Sequence, residues 1–177
     1  KDDRTPSWFA MDGDKPVTRT LLLQRMKTHI DTLAGRYRGK IAMWDVVNEA
    51  LDDGTNYLRP WVWSKTCGED FIVKAFEYAH AADPDAILIY NDYNNELPNK
   101  LPKMLRLIET LRARKAPVHA IGLQGHYELD SVPFEAIETT LKKMKELGMK
   151  VVVSELDIDV IPRARWWANG GAEREAL

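Results

Sequence analysis

A single cysteine, Cys67, stands among 177 residues, so the chain has no pair for an internal disulfide. Its four histidines fall in no Cys/His spacing that would hold zinc, and the redox compartment is left open. No apolar run approaches the roughly 20 residues of a membrane span, and the first residues do not resemble a signal peptide. Lys1–Arg4 read as a chain cut from something longer. Charge of one sign is also scarce. A formal net charge of −2 argues against nucleic acid or an anionic membrane as the main partner. The basic runs Arg36–Lys40 and Arg112–Lys115 are short and follow amphipathic stretches. They read as solvated helix ends, where the macrodipole favours cations. Low-complexity segments and linkers are missing as well.

What is present is the composition of a folded domain: 45% hydrophobic and 29% charged residues, in a chain long enough to bury a core. Thr18 is placed to cap a helix running to about Tyr37, with Leu22, Met26, Ile30 and Leu33 on one face. A buried strand is expected over Ile41–Val47, then a Trp-containing loop, then a helix over Glu69–Ala82 stopped by Asp83-Pro84. Ala86–Tyr90 is the next strand, Leu101–Arg114 a helix, and Val118–Leu123 a strand. A helix opening at Pro133 ends at Gly148, and Val151–Ser154 is the last strand. The tail is irregular from Ile161, with a helix start expected near Gly171.

Apolar strands alternating with helices imply a parallel sheet with right-handed crossovers, covered on both faces. A doubly wound sheet and a (β/α)8 barrel both fit. The dinucleotide-binding version of the former needs a glycine-rich turn after its first strand, and none follows any strand here.

Polar clusters follow the strands instead: Asn48-Glu49, Asn91-Asp92-Tyr93-Asn94, Gln124-Gly125-His126 and Ser154-Glu155. In a barrel these C-terminal strand ends converge on one mouth, where active sites are built. Strand parity puts Glu49 on the face of Val47 and Asp45, Gln124 with His126, and Glu155 with Val153 and Val151. Two carboxylates at one mouth suit glycoside hydrolysis. One is protonated and donates to the leaving oxygen; the other is ionised and attacks carbon or activates water. Taken singly, a strand-end glutamate is more often a surface or helix-end charge. His126 alone would more often be structural, and Asn91, Asp92 and Asn94 alone would more often be turn residues.

Trp44-Asp45-Val46-Val47-Asn48-Glu49 resembles the acid/base strand of glycoside hydrolase family 10, the retaining endo-β-1,4-xylanases. Val152-Val153-Ser154-Glu155-Leu156-Asp157-Ile158 resembles that family's nucleophile strand. Tyr90-Asn91-Asp92-Tyr93-Asn94 and Gly122-Leu123-Gln124-Gly125-His126 resemble the intervening motifs, in the family's order. Pro6-Ser7-Trp8-Phe9 resembles the segment after its third strand. The resemblance implies Glu49 as acid/base and Glu155 as nucleophile. It also implies Asn48 on the sugar 2-hydroxyl, His126 orienting the nucleophile, Gln124 near the acid/base, and Tyr93 lining the cleavage subsite. Retention implies carboxyl groups roughly 5–5.5 Å apart. No cofactor and no metal are called for.

The remaining residues carry weaker expectations. Asp92 and Asn94 read as scaffold. Asp45 reads as an inward residue needing a buried partner, not a catalytic one. Asp157 and Asp159 are weighed as anchors of the nucleophile loop, with a non-functional role favoured. Trp61, Trp63, Trp166 and Trp167 read as loop packing in preference to sugar stacking.

A closed barrel needs about 250 residues. Residues 1–177 therefore read as a partial catalytic domain, an α/β (β/α)8 TIM barrel incomplete in this chain and spanning approximately strands 4–7 with their helices. The strands that carry the family's lysine, histidine and tryptophan for the non-reducing-side subsite have no counterpart. Lys1–Thr5 do not match the His-Ser-Gln that usually precedes its Pro-x-Trp segment. The expected partner is xylan or a xylo-oligosaccharide, with the missing strands supplied from the same parent protein. An extracellular, cell-surface or periplasmic setting follows from a polymeric substrate. The rival readings are a cellulase or mannanase on the same barrel, a metal-dependent hydrolase, and a non-catalytic carbohydrate-binding fragment.

Overall fold

The computed structural model describes residues 5–161. Trp166, Trp167 and the helix start near Gly171 lie outside the described residues. The chain enters through a short helix α1 (Ser7–Ala10) and a two-stranded hairpin, β1 (Met11–Asp12) with β2 (Lys15–Pro16), turned at Gly13 in the left-handed region. The sequence reading anticipated neither. Thr18 then caps α2 (Arg19–Arg36), its hydroxyl accepting from the Leu21 amide at 3.3 Å. Leu22, Leu23 and Met26 are buried along this helix and Ile30 packs partly against the core, whereas Leu33 is exposed.

The expected repeat follows, with β3 (Met43–Asn48), α3 (Val62–Cys67), α4 (Asp70–Ala82), β4 (Ile87–Asp92), α5 (Leu101–Ala113) and β5 (Ala120–Leu123). Beyond these lie β6 (His126–Glu128), a 3-10 turn (Leu129–Ser131), α6 (Phe134–Glu146), β7 (Lys150–Val153) and β8 (Asp157–Asp159). Strand ends move by a few residues. β4 runs on through Asp92, so the polar cluster there begins inside the ladder and not in a turn. Both basic runs are exposed, as expected of helix ends, although Arg112 donates to the Leu147 carbonyl and Arg114 pairs with Asp70. Among the described residues no helix is long and apolar enough to cross a membrane.

β3, β4, β5 and β7 form one sheet in that order, every pair parallel. One face packs Trp44, Val47, Leu88, Tyr90, Ile121 and Leu123 into the core shared with the helices, including fully buried Phe76, Leu107 and Ile108. In-register parallel neighbours share a face, so Asp45, Ile89, Asn91 and Gly122 lie together on the other. Toward β3 that face is open, with Met43, Asp45 and Asn48 exposed, whereas Ile89 and Asn91 on β4 are buried. This corrects the expectation that Asp45 is buried with a partner. Partial desolvation against the sheet and the neighbouring Glu155 charge still hold its carboxyl above the ordinary range.

Register also corrects the parity argument. Asp45 pairs with Ile89 but Val47 pairs with Tyr90, so Val46 is an extra residue in β3. Asp45 and Val47 therefore face opposite sides. Asn48, opposite Asn91, is turned to the open face that a regular strand would have denied it. The paired strands β6 and β8 carry the ladder past the end of the main sheet and bring His126 opposite Asp157.

Candidate active site

Glu49 leaves β3 with φ +55°, a conformation uncommon for a non-glycine residue and a mark of local strain at functional sites. Its amide still donates to the Asn91 carbonyl at 2.9 Å. The next two amides, of Ala50 and Leu51, both donate to the buried Tyr90 hydroxyl at 3.1 Å. Tyr90 in turn donates to Asp92 at 2.6 Å. The strained turn is thus fastened to β4 by three backbone donors. The Glu49 side chain then lies in a fixed pocket, with the residue 9% exposed.

The two glutamates are joined by an unbroken chain of amides. Gln124 Nε2 donates to Glu49 Oε1 and to Asn48 Oδ1, each at 3.2 Å. Asn91 Nδ2 donates to the same Asn48 oxygen at 3.1 Å and to Glu155 Oε1 at 2.7 Å. Ser154 Oγ closes the set by donating to Asn91 Oδ1 at 2.6 Å. With Asn48 Oδ1 occupied twice, its Nδ2 donors, which meet no acceptor among the described residues, are placed to serve a ligand.

On the far side of Glu155, His126 Nε2 lies 3.3 Å from Oε2, and His126 Nδ1 lies 2.8 Å from Asp157. The shorter contact anchors the ring, and the other nitrogen faces the glutamate. Asp157, weighed as an anchor of the nucleophile loop, instead holds the His126 ring. Asp159 pairs with Glu128 in the β6–β8 ladder.

Around Glu49 a cationic cluster forms that the sequence reading did not assemble. Arg59 Nη1 reaches Glu49 Oε2 at 3.3 Å, and its Nη2 reaches Asp53 at 3.1 Å and the Tyr93 hydroxyl. Lys100, fully buried, donates to Asp92 at 2.7 Å and to Asp53 at 2.9 Å. Burial raises the Asp92 carboxyl above its ordinary range, against the opposing pull of Lys100. Asp92 is scaffold, as expected. Burial also works to raise Asp53, but hydrogen bonds from Tyr93 and Lys100 prevail and hold it low. Tyr93 is pushed up to about 12 by burial and by its bond to Asp53. Its hydroxyl is therefore a committed, protonated donor at neutral pH.

A cleft of about 480 Å³ gathers Asn48, Glu49, Tyr93, Gln124, His126 and Glu155, all six residues expected at the site, together with Arg59 and Asn94. A neighbouring cavity of about 380 Å³ on the helix side of β3 is lined mainly by apolar groups such as Met26, Trp63 and Phe71. The polar cleft is the one equipped for hydroxyl-rich ligands. Trp63 is packing, as expected, set between Phe9 and Phe71 and donating to Thr5. Trp61 stacks on Arg59 at 5.0 Å. Among the described residues no cluster of three or more His, Cys, Asp or Glu side chains is placed to hold a metal ion.

Sequence reasoning missed Asn91 and Arg59. Asn91, read as a turn residue, is a buried strand residue, and its period-two relation to Ile89 within an apolar run was the available signal. Arg59 lies in a loop and no local pattern marks it.

The sequence profile of glycosyl hydrolase family 10 matches residues 2–174. An endo-1,4-beta-xylanase of Geobacillus stearothermophilus is 43% identical over 160 residues, covering 89% of this chain and 48% of the relative. Among solved structures, xylanase XynB from Paenibacillus barcinonensis, complexed with a conduramine derivative, superposes with a TM-score of 0.83 at 40% identity, over 88% of this chain and 48% of that one. Xylanase 10B from Thermotoga petrophila, in complex with xylobiose, gives a TM-score of 0.81 at 34% identity, over 88% of this chain and 47% of that one. The chain spans about half the length of the relatives it matches. Its four parallel strands are accordingly part of a (β/α)8 barrel that this chain leaves incomplete.

Proposed function

Because the chain belongs to glycosyl hydrolase family 10, we propose that it carries the catalytic strands, as a partial catalytic domain, of an endo-β-1,4-xylanase that cuts internal bonds of xylan with retention. The observation that supports this best is the pair of glutamates in one cleft, tied together through amides yet differently surrounded. Glu49 has an 11% exposed side chain between Gln124 and Arg59, while Glu155 is 41% exposed beside His126.

In the first step the Glu155 carboxylate attacks the anomeric carbon as Glu49 gives its proton to the departing glycosidic oxygen. Asn91 and His126 hold the attacking carboxylate at both oxygens, which fixes its approach. Asn48 offers its Nδ2 to the sugar 2-hydroxyl, a bond that strengthens as positive charge develops on the ring. In the second step Glu49 takes a proton from water, whose oxygen bonds the anomeric carbon as the bond to Glu155 breaks and leaves the carboxylate free. Xylo-oligosaccharide binding is supported by the xylobiose complex of the Thermotoga petrophila relative. The rest of the barrel is supplied by further strands of the parent protein, which close the open face and the edges of β3 and β7. A polymeric substrate places the enzyme outside the cytoplasm, whether secreted, at the cell surface or in the periplasm.

The test is made on the full-length protein. Reducing-sugar release should be greater from xylan than from cellulose or mannan, and proton NMR of early product should show the β-anomer. Glu155→Ala should abolish turnover. An inverted first product, or near-normal xylan hydrolysis by that variant, would sink the assignment.

A further inference from the structure

Arg59 touches the proposed acid/base yet belongs to none of the strand-end clusters. Its guanidinium is unusually confined. Nε donates to the Leu51 carbonyl at 3.0 Å, Nη1 to Glu49 at 3.3 Å, and Nη2 to Asp53 at 3.1 Å and to Tyr93. Its planar head lies 5.0 Å from the ring centres of both Trp61 and Tyr93. Only 14% of the side chain is exposed. Asp53 is itself held by buried Lys100, so the anchor of the arginine is anchored in turn. Surface ion pairs are loose and weak, whereas a rigid fork with four acceptors and two stacking rings is neither.

We propose that Arg59 is a positioning residue for the protonation step: it aims the Glu49 carboxyl into the cleft and stabilises the carboxylate left behind when the proton departs. The inference rests on the acid/base reading of Glu49. A neutral carboxyl gains little from the cation, while the carboxylate formed as the carbon–oxygen bond breaks gains a full ion pair in a largely buried site. The interaction therefore favours the transition state over the ground state. Proton balance is simple. The proton passes from Glu49 to the glycosidic oxygen, Glu155 bonds the anomeric carbon, and Arg59 neither gives nor takes one. The device matters only where the leaving group needs that proton. Xylan needs it; a dinitrophenyl xylobioside does not.

The experiment compares these two substrates in the full-length protein. Arg59→Met keeps the aliphatic length against the rings and removes the charge. Its kcat/KM on xylan is expected to fall about 10- to 100-fold, with less than about a threefold change on the aryl glycoside. Arg59→Lys, which keeps the charge without the fork, should show the same split with a smaller loss on xylan. Equal losses on both substrates, or unchanged xylan hydrolysis, in Arg59→Met overturn the proposal. If Arg59→Met fails to fold, Arg59→Lys decides by the same criterion. Glu49→Ala is run beside them. A split in Glu49→Ala without one in the arginine variants condemns the role of Arg59 alone; no split in Glu49→Ala condemns the acid/base assignment itself.

Discussion

Adding one methyl group at Gly122 should disarm the nucleophile from the neighbouring strand. An alanine Cβ there would sit 2.2 Å from Asn91 Oδ1, 3.0 Å from its Cγ and 3.2 Å from its Cα. Carbon contacts normally lie at about 3.5–4.0 Å, so the Asn91 side chain must leave. It is 1% exposed and has nowhere to go without losing its partners. Those are Ser154 at 2.6 Å, Glu155 at 2.7 Å and Asn48 at 3.1 Å. Two neutral bonds at about 1 kcal/mol each and one to a charged group at about 1.5–3 kcal/mol give a loss of about 3.5–5 kcal/mol. The freed Glu155 carboxylate loses one of its two holders, and misplacement by an ångström costs about 100-fold in rate. The assay pairs denaturant midpoints with kcat on xylan for full-length Gly122→Ala and its parent. A double-mutant cycle adds specificity. In an Asn91→Ala background the 2.2 Å and 3.0 Å contacts are gone, and the added methyl should cost less than about 1 kcal/mol. Wild-type stability and turnover in Gly122→Ala would refute this account of Asn91.

Three further outcomes are expected. Lys100→Met takes the buried cation from Asp92, which is 0% exposed and keeps only neutral donors such as the Tyr90 hydroxyl, and should cost about 3–5 kcal/mol in denaturant unfolding, with Asp92→Asn in the same chain restoring part of it. Tyr90→Phe removes the hydroxyl that accepts from Ala50 and Leu51, so about 2–4 kcal/mol and much of kcat should be lost together, because the Glu49 turn hangs on those bonds. Asp70 is held below its ordinary value of 3.8 by the hydrogen bond from Arg114 and then by Arg19. A depressed folded-state value means its contribution is present above that ordinary value and is lost as pH falls through the folded one. The stability gap between parent and Arg114→Ala should therefore be constant near neutrality and close in acid below about pH 3.8, as read from unfolding midpoints across pH.

Hydrophobic periodicity and capping are local, and the sequence reported them faithfully. Thr18 caps α2, Asp83-Pro84 ends α4, and the four apolar runs are β3, β4, β5 and β7 in parallel order. The polar residues at their ends were legible for the same reason, since a buried run that stops at Asn48-Glu49 or Ser154-Glu155 marks where the sheet meets solvent. The loop helix α3 and the β6–β8 pair were not legible, because three-residue strands carry no period and owe their pairing to a partner about thirty positions away.

Sequence alone thus determined which residues gather at the mouth: Asn48, Glu49, Tyr93, Gln124, His126 and Glu155 share one cleft. Tertiary structure decided how they are held. The extra residue at Val46 puts Asp45 and Val47 on opposite faces where parity had put them on one, and the left-handed turn at Glu49 depends on a tyrosine hydroxyl from the next strand. Asn91 and Arg59 become site residues only when strands and loop are brought together. A hydrogen bond between residues 64 positions apart, such as Asn91 to Glu155, is a relation between two places in space, and no local pattern along the chain records it.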